Sequence, residues 1–297
     1  MDNEKVIDRI VVDATVVRST YDREPFGFSH TLHQSPLFHL DQIRALANRH
    51  TVDDYFVAAS ALTPATRFYD VDHGMLTPGA AIDDLKNGSY RIILKRPERY
   101  DDRYRRLLET LFSEVRALRG WPADERVLRL DGSILISSAA ATTPLHFDPE
   151  VSFFFQIAGD KSYHLLDPKT MTEEELEAFY VRGKLDIGQV AFERHCDARE
   201  FLFELAPGMG MHQPQNTPHW VQTHDSLTIS YVFSIETDRS RARGRTRGFN
   251  FLQRRLGLRP GELGRRPQLD DWKADSMRAA FGLRDIVRPA IRAFRKP

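Results

Sequence analysis

The sequence is poor in cysteine, with Cys196 the only one in 297 residues. An intrachain disulfide is therefore excluded, as are zinc fingers and iron-sulfur clusters built from this chain alone, because each needs several thiolates. Any bound metal must be held mainly by histidine and carboxylate. Long apolar runs are missing too, and nothing approaches the roughly 18–20 consecutive apolar residues that a membrane helix needs. The opening MDNEKVIDRI is charged where a secretory leader would be apolar, so a soluble cytoplasmic protein without a membrane partner is expected. No repeat at a solenoid period is visible.

An overall charge of either sign is also lacking, since 42 Lys/Arg balance 42 Asp/Glu. The balance is uneven along the chain: residues 239–297 hold 17 Lys/Arg against 5 Asp/Glu, leaving 25 against 37 before them. Two readings follow. Either the basic tail folds back onto acidic parts of the body, or the stretch SRARGRTRG at 240–248, which interleaves arginine with small residues, touches nucleic acid. Only Phe249, Phe251 and Trp272 lie nearby for base stacking, which favours the first reading.

What is present is enough for a sizeable core, with 41% hydrophobic residues. Ile43, Leu46 and Ala47 recur at helical spacing after Asp41, which sits where an N-cap belongs. In DDRYRRLLETLFSEVRALRG, Leu107, Leu108, Leu111, Phe112, Val115 and Leu118 form one apolar helix face that stops at Arg119-Gly120. After Trp121-Pro122 the period changes. VLRLDGSILIS, VSFFFQIAG, KSYHLLD, REFLFELA and SLTISYVFSI read as strands separated by turn residues, and one helix with a capping box at Thr172–Glu175 interrupts them. The expected fold is mainly β with flanking helices (α+β), a small sandwich or jelly roll. Its expected parts are a mostly helical region over 1–120, a β core over 121–238 and a basic, partly helical extension over 239–297.

Three His-x-Asp doublets occur, at His39-Leu40-Asp41, His146-Phe147-Asp148 and His195-Cys196-Asp197. On a strand, residues i and i+2 share a face, so His146 and Asp148 can point together into the mouth of a barrel. A third ligand must come from another segment. PGMGMHQPQNTPHWVQTHD offers His212, His219 and His224; His219, fixed behind Pro218 and ahead of a long strand, is the choice, with His212 in reserve. Two histidines and one carboxylate leave about three positions on a metal open, as non-heme Fe(II) oxygenases require, whereas a structural zinc prefers four protein ligands. Lys161 leads into an apolar strand, where a buried ammonium asks for an anion and Thr143 offers a hydroxyl to the same anion. The competing reading is a solvated hairpin end after Gly159-Asp160.

The run TTPLHFDPEVSFFFQIAGDKSYHLLDP resembles the core signature of the JmjC (jumonji-type) hydroxylases of the cupin superfamily. The shared pieces, in order, are Thr143, His146-Phe147-Asp148, Gln156-Ile157-Ala158-Gly159-Asp160-Lys161 and Pro168, followed by a distal histidine turn at Asn216-Thr217-Pro218-His219-Trp220. The firm likeness covers 130–236, and FGFSHTLHQSPLFHLDQIRALA is more loosely similar to the opening of bacterial cupin-like members. This resemblance implies a double-stranded β-helix holding Fe(II) through His146, Asp148 and His219. It also implies 2-oxoglutarate on the metal with its distal carboxylate at Lys161 and Thr143, and O2-dependent cleavage to succinate and CO2 coupled to substrate hydroxylation.

Departures from the family pattern are Ser152, where relatives often carry a co-substrate-holding Asn, Met209 in place of an acid, and Val232 and Phe233 in the last strand. The expected activity is a 2-oxoglutarate-dependent hydroxylase acting on a protein or peptide side chain, a small metabolite or RNA. The alternatives are a non-catalytic metal-binding cupin acting as a regulator or interaction protein, and a cupin isomerase or oxygenase that recruits His212. Trp272, Phe281 and Ile286 in an amphipathic C-terminus suggest a homodimer through C-terminal helices.

Overall fold

The computed structural model describes residues 10–59, 62–67, 76–85, 87–183, 187–195 and 197–294; Cys196 and the side chain of Ile286 lie outside what is described. The strands are β1 (Ile10–Val11), β2 (Phe26–His30), β3 (Tyr55–Ala59), β4 (Tyr90–Lys95), β5 (Val127–Ser137), β6 (Thr142–Phe147) and β7 (Val151–Ala158). They continue as β8 (Lys161–Leu166), β9 (Gly188–Gln189), β10 (Glu200–Leu205), β11 (Met209–Gln213), β12 (Pro218–Thr223) and β13 (Thr228–Thr237). The helices used below are α1 (Ala14–Thr20), α2 (Leu40–Ala47), α3 (Pro78–Asp83), α4 (Asp102–Arg119), α5 (Glu173–Tyr180), α6 (Phe192–His195), α7 (Asp238–Arg255) and α8 (Pro267–Phe294).

Two sheets carry the fold, one of eight strands in the order β1-β2-β11-β7-β13-β5-β4-β3 and one of five in the order β10-β8-β12-β6-β9. The described pairs are antiparallel, and the chain crosses between the sheets from β5 to β8 and again from β10 to β13, so that β6, β8, β10 and β12 lie in the smaller sheet and β5, β7, β11 and β13 in the larger. This is the double-stranded β-helix expected from the sequence. The region before residue 120 contributes β1, β2, β3 and β4 to the large sheet as well as its helices.

The large sheet is apolar on its outer face and mixed on its inner face. Phe153, Phe155, Tyr231 and Phe233 point outward, in ring contact at centroid distances of 5.3–6.1 Å and joined by Phe26, Phe28 and Phe38. The alternating apolar residues of SLTISYVFSI thus pack against the N-terminal layer, and their small neighbours Ser230 and Ser234 face the space between the sheets. The helices of that layer start at side-chain caps on Asp13 and Asp101, and α4 ends at Gly120, whose positive φ of 67° suits glycine. Contrary to the expectation for Asp41, the N-cap of α2 is His39, while Asp41 lies in the first turn, where a carboxylate meets the positive end of the helix dipole.

By contact density the chain divides into two compact units, one formed within Met1–Ala123, Arg129–Thr170 and Ile187–Ile235, the other within Asp124–Leu128, Met171–Asp186 and Glu236–Pro297. The second unit explains the basic run. Thr237 and Ser240 cap α7 reciprocally, and Ser240, Gly244 and Gly248 form a buried stripe at spacing four. A Cβ on Gly244 would lie 2.5 Å from the Tyr180 ring, so the small residues of SRARGRTRG are what lets α7 lie close against α5. Its arginines find carboxylates in the same unit: Arg239 on Asp124, Arg241 on Glu236, Arg247 on Glu173 and Arg254 on the buried Glu177. The first of the two charge readings describes this helix, with the acids supplied by the unit itself.

Candidate metal centre

The site lies in the first unit, on the inner face of the smaller sheet. His219 on β12 pairs directly with His146 on β6, while Val221 pairs with Thr143, three residues before His146 rather than two. This bulge accommodates Pro144, which has no N–H for the ladder, and keeps both Thr143 and His146 on the inner face. Asp148 follows at the end of β6. The turn that delivers His219 is tied to it: the Asn216 N–H donates to the Asp148 carbonyl at 2.9 Å and the Gln215 amide to the Pro149 carbonyl at 2.7 Å. Asn216 takes a left-handed φ of 60°, a conformation that asparagine tolerates better than most residues.

His146, Asp148 and His219 meet with their ligand atoms within 4.8 Å of one another, and His219 Nε2 lies 3.7 Å from Asp148 Oδ2. The histidine tautomers are fixed by their neighbours. His146 Nδ1 donates to the Pro144 carbonyl at 2.7 Å and His219 Nδ1 to the Thr217 carbonyl at 3.1 Å, since a carbonyl only accepts. Each ring therefore keeps its lone pair at Nε2, the arrangement that backbone carbonyls impose on metal-ligating histidines. Burial, reinforced by the other imidazole, pushes His146 well below the ordinary value; burial also lowers His219, against the pull of Asp148. Both rings are neutral donors at physiological pH, and with the carboxylate they suit one divalent ion of the Fe(II) class.

Successive inward-facing pairs divide the space between the sheets into three layers. The first holds the triad with Leu165 from the smaller sheet, and Gln213, Ser152 and Ser234 from the larger. The second is mostly apolar, with Tyr163, Val221, Phe154 and Met211 in one buried cluster, beside Thr143. The third contains Lys161, Ser230 and Gln156. From Leu165 to Lys161 the strand rises by roughly 13 Å, four residues at about 3.3 Å each.

Lys161 is buried, with 3% of its surface exposed, so the solvated-hairpin reading does not hold. Its Nζ donates to Ser230 Oγ at 2.8 Å, Ser230 donates to Gln156 Oε1 at 2.8 Å, and the Gln156 amide donates to the carbonyls of Ala158 and Gly159. Every donor in this chain runs in one direction, which holds the ammonium in place and accounts for the Gln156 and Gly159 of the motif. Arg91, on β4 opposite Ser137, is a second buried cation facing this interior. Burial and the nearby Arg91 bring Lys161 down to about 7.

The remaining candidates fall as follows. Thr143 sits half-buried on the inner face between His146 and the depth of Lys161. Ser152 is buried in the first layer, with its hydroxyl 3.0 Å from that of Ser234. His212, the reserve ligand, points the other way, stacked on Tyr21 and tilted against Phe26 in the outer aromatic layer, because it pairs with the outward-facing Phe153. His224 is exposed and contacts Ser162 and Glu204. Of the other doublets, His39 occupies the N-cap position of α2 without a side-chain capping bond, and His195 ends α6. Arg91, Tyr163 and Gln213 were not singled out from the sequence; Gln213 and Tyr163 carried a signal only in the inward phase of their strands.

No family model matches the chain. Among curated proteins it is 29% identical over 117 residues to the HSPB1-associated protein 1 homolog of Danio rerio, covering 36% of this chain and 26% of that protein. It is 26% identical over 117 residues to HSPB1-associated protein 1 of Rattus norvegicus, with 36% and 24% covered. The matched stretch thus spans about a quarter of the length of these relatives. Among solved structures, Escherichia coli YcfD superposes with a TM-score of 0.52 at 16% identity, covering 93% of this chain and 69% of that one. YcfD described as a ribosomal oxygenase in complex with cobalt and 2-oxoglutarate gives 0.52 at 16% identity, over 92% and 68%. At this identity the likeness establishes the shared fold.

Proposed function

We propose that this chain is a JmjC-type oxygenase of the cupin superfamily that uses Fe(II), 2-oxoglutarate and O2 to hydroxylate a substrate C–H bond. The observation that carries the reading is the combination of three ligands, two of them tautomer-locked histidines, with a buried lysine two layers deeper across an apolar middle. His146, Asp148 and His219 serve as the metal ligands and leave about three positions open. A 2-oxo dicarboxylate matches the layers: its oxoacid end belongs at the metal, its methylenes beside Phe154, Tyr163 and Val221, and its distal carboxylate at Lys161. When bound, the iron supplies the O2-dependent oxidation that splits the co-substrate to succinate and CO2.

The chain's own residues do the rest. The Pro144 and Thr217 carbonyls orient the imidazoles, and Ser230 and Gln156 hold the lysine. Thr143 and Ser152 line the co-substrate path from opposite sheets. The apolar second layer excludes water, which strengthens the charge interactions inside it.

The substrate class we assign is a protein side chain. The structural neighbour's description as a ribosomal oxygenase favours a ribosomal component over a free metabolite, and a cytoplasmic location goes with that assignment. Self-association through α7 and α8 is supported by exposed Leu252, Leu256, Leu258, Leu269 and Trp272 in the second unit. The test is succinate formation from 2-oxoglutarate by the purified protein with Fe(II) and O2, followed by mass spectrometry of ribosomal proteins for a gain of one oxygen. Turnover lost in His146→Ala and in Lys161→Ala supports the assignment; equal turnover in all three proteins refutes it.

A further inference from the structure

The first layer contains one buried donor that the proposed chemistry has not used. Gln213 is 1% exposed at the end of β11, on the inner face opposite Ser152, and its Nε2 has no hydrogen-bond partner. The Tyr163 phenol donates to Gln213 Oε1 at 2.8 Å. The Tyr163 ring in turn lies parallel to the His219 imidazole, with centroids 5.3 Å apart and planes at 14°. With the amide oxygen held by Tyr163, both hydrogens on Nε2 are left without an acceptor one phenol ring away from a metal ligand. A buried donor in that condition is costly unless a ligand completes it.

The neighbouring hydroxyls do not reach the same role. Ser152 and Ser234 are short, and each is engaged with the other.

We propose that Gln213 is a binding residue that donates from Nε2 to the metal-end carboxylate of the 2-oxoacid co-substrate, and that Tyr163 is the positioning residue that turns the amide toward it. This rests on the reading of the site as a 2-oxoglutarate site. It deepens that reading by separating two ends: Lys161 recognises the distal carboxylate, while the Tyr163–Gln213 pair recognises the end at the metal. Placement decides between the ends. Gln213 is joined through Tyr163 to the His219 ring, whereas Lys161 lies four residues along β8 from Leu165, the strand partner of His219.

The experiment uses the full chain loaded with Mn(II) in the absence of O2, with calorimetric titration of 2-oxoglutarate and of pyruvate. Pyruvate shares the oxoacid end and lacks the distal carboxylate. Gln213→Leu is expected to weaken both ligands by the same factor, on the order of ten- to a hundredfold for a hydrogen bond to a charged acceptor. Tyr163→Phe, which keeps the ring against His219, is expected to weaken both by a smaller common factor. Lys161→Ala is expected to weaken 2-oxoglutarate strongly and pyruvate hardly at all. Mn(II) affinity measured without oxoacid serves as the folding control and stays within about twofold of wild type in Gln213→Leu.

Unchanged affinity for both ligands in Gln213→Leu overturns the proposal while leaving the oxygenase reading intact. A loss confined to 2-oxoglutarate also overturns it, because it moves the amide to the distal end. If the wild-type protein binds neither oxoacid, the proposal and the co-substrate assignment fall together.

Discussion

Lys161 makes the strongest quantitative prediction. Its ordinary value is 10.5, and burial beside Phe154 with Arg91 nearby brings it to about 7, while its Nζ donates to Ser230 Oγ. The unfolded chain holds this proton until about pH 10.5 and the folded, ligand-free chain only until about pH 7. Lys161 therefore makes ligand-free protein more stable as pH rises from 7 toward 10, by up to roughly 4–5 kcal/mol in total. A carboxylate docking at Nζ reverses the preference and requires the ammonium. At pH 8 about nine-tenths of ligand-free molecules carry neutral Lys161, so binding should take up about 0.9 proton, falling to about 0.1 at pH 6. Titrating 2-oxoglutarate into Mn(II)-loaded protein in buffers of different ionisation enthalpy measures this directly. Lys161→Met should abolish the uptake, and its ligand-free form should gain stability relative to wild type at pH 6 but not at pH 10. Uptake near zero at both pH values would show that the lysine is not the carboxylate's partner.

Four further substitutions test the geometry. Asp148→Ala should lower divalent-metal affinity more than a hundredfold, beyond the losses typical of outer-shell partners, as read by calorimetry with Mn(II); affinity within a few-fold of wild type would remove Asp148 from the ligand set. His212→Leu should leave metal affinity unchanged and cost about 1–3 kcal/mol in urea unfolding, because the ring packs among outer aromatics; a large loss of metal affinity would place it in the site after all. Gly210→Ala should destabilise by about 1–3 kcal/mol, since its Cβ would lie 2.7 Å from the Phe154 carbonyl between two strands, and an unchanged melting profile would contradict that packing. Arg254→Met leaves the buried Glu177 without its guanidinium and should cost about 3 kcal/mol, with partial recovery in the Glu177→Gln double variant.

Much of the site was legible in the sequence because its parts are local. The His146–Asp148 spacing, the Gly159 turn and the Pro218-His219 turn each depend on a few neighbouring residues, and the motif order joined them. The capping boxes at Thr172 and Thr237 are of the same local kind, although only the first was read. What escaped depends on distant partners. β2, β3 and β4 are short and lie among helices, and their strand character comes from pairing with β11 and β5 far along the chain. Arg91 looks like an ordinary charge within YRIILK until the sheet turns it toward Lys161. His212 was a plausible ligand by composition, and the two-residue phase of β11 sends it outward while sending Gln213 inward. The arginine-rich run was ambiguous for a related reason: only the packed helix shows that its small residues meet Tyr180 and its arginines meet carboxylates.

The central claim is that the triad and Lys161 together make a working 2-oxoglutarate site. The most direct measurement is succinate release from 2-oxoglutarate by purified protein with Fe(II) and O2, compared among wild type, His146→Ala and Lys161→Ala. The account predicts succinate from the wild type, essentially none from His146→Ala, and recovery of Lys161→Ala turnover only at much higher co-substrate concentration. Absence of succinate and of co-substrate binding in the metal-loaded wild type, or equal release from all three proteins, would contradict it.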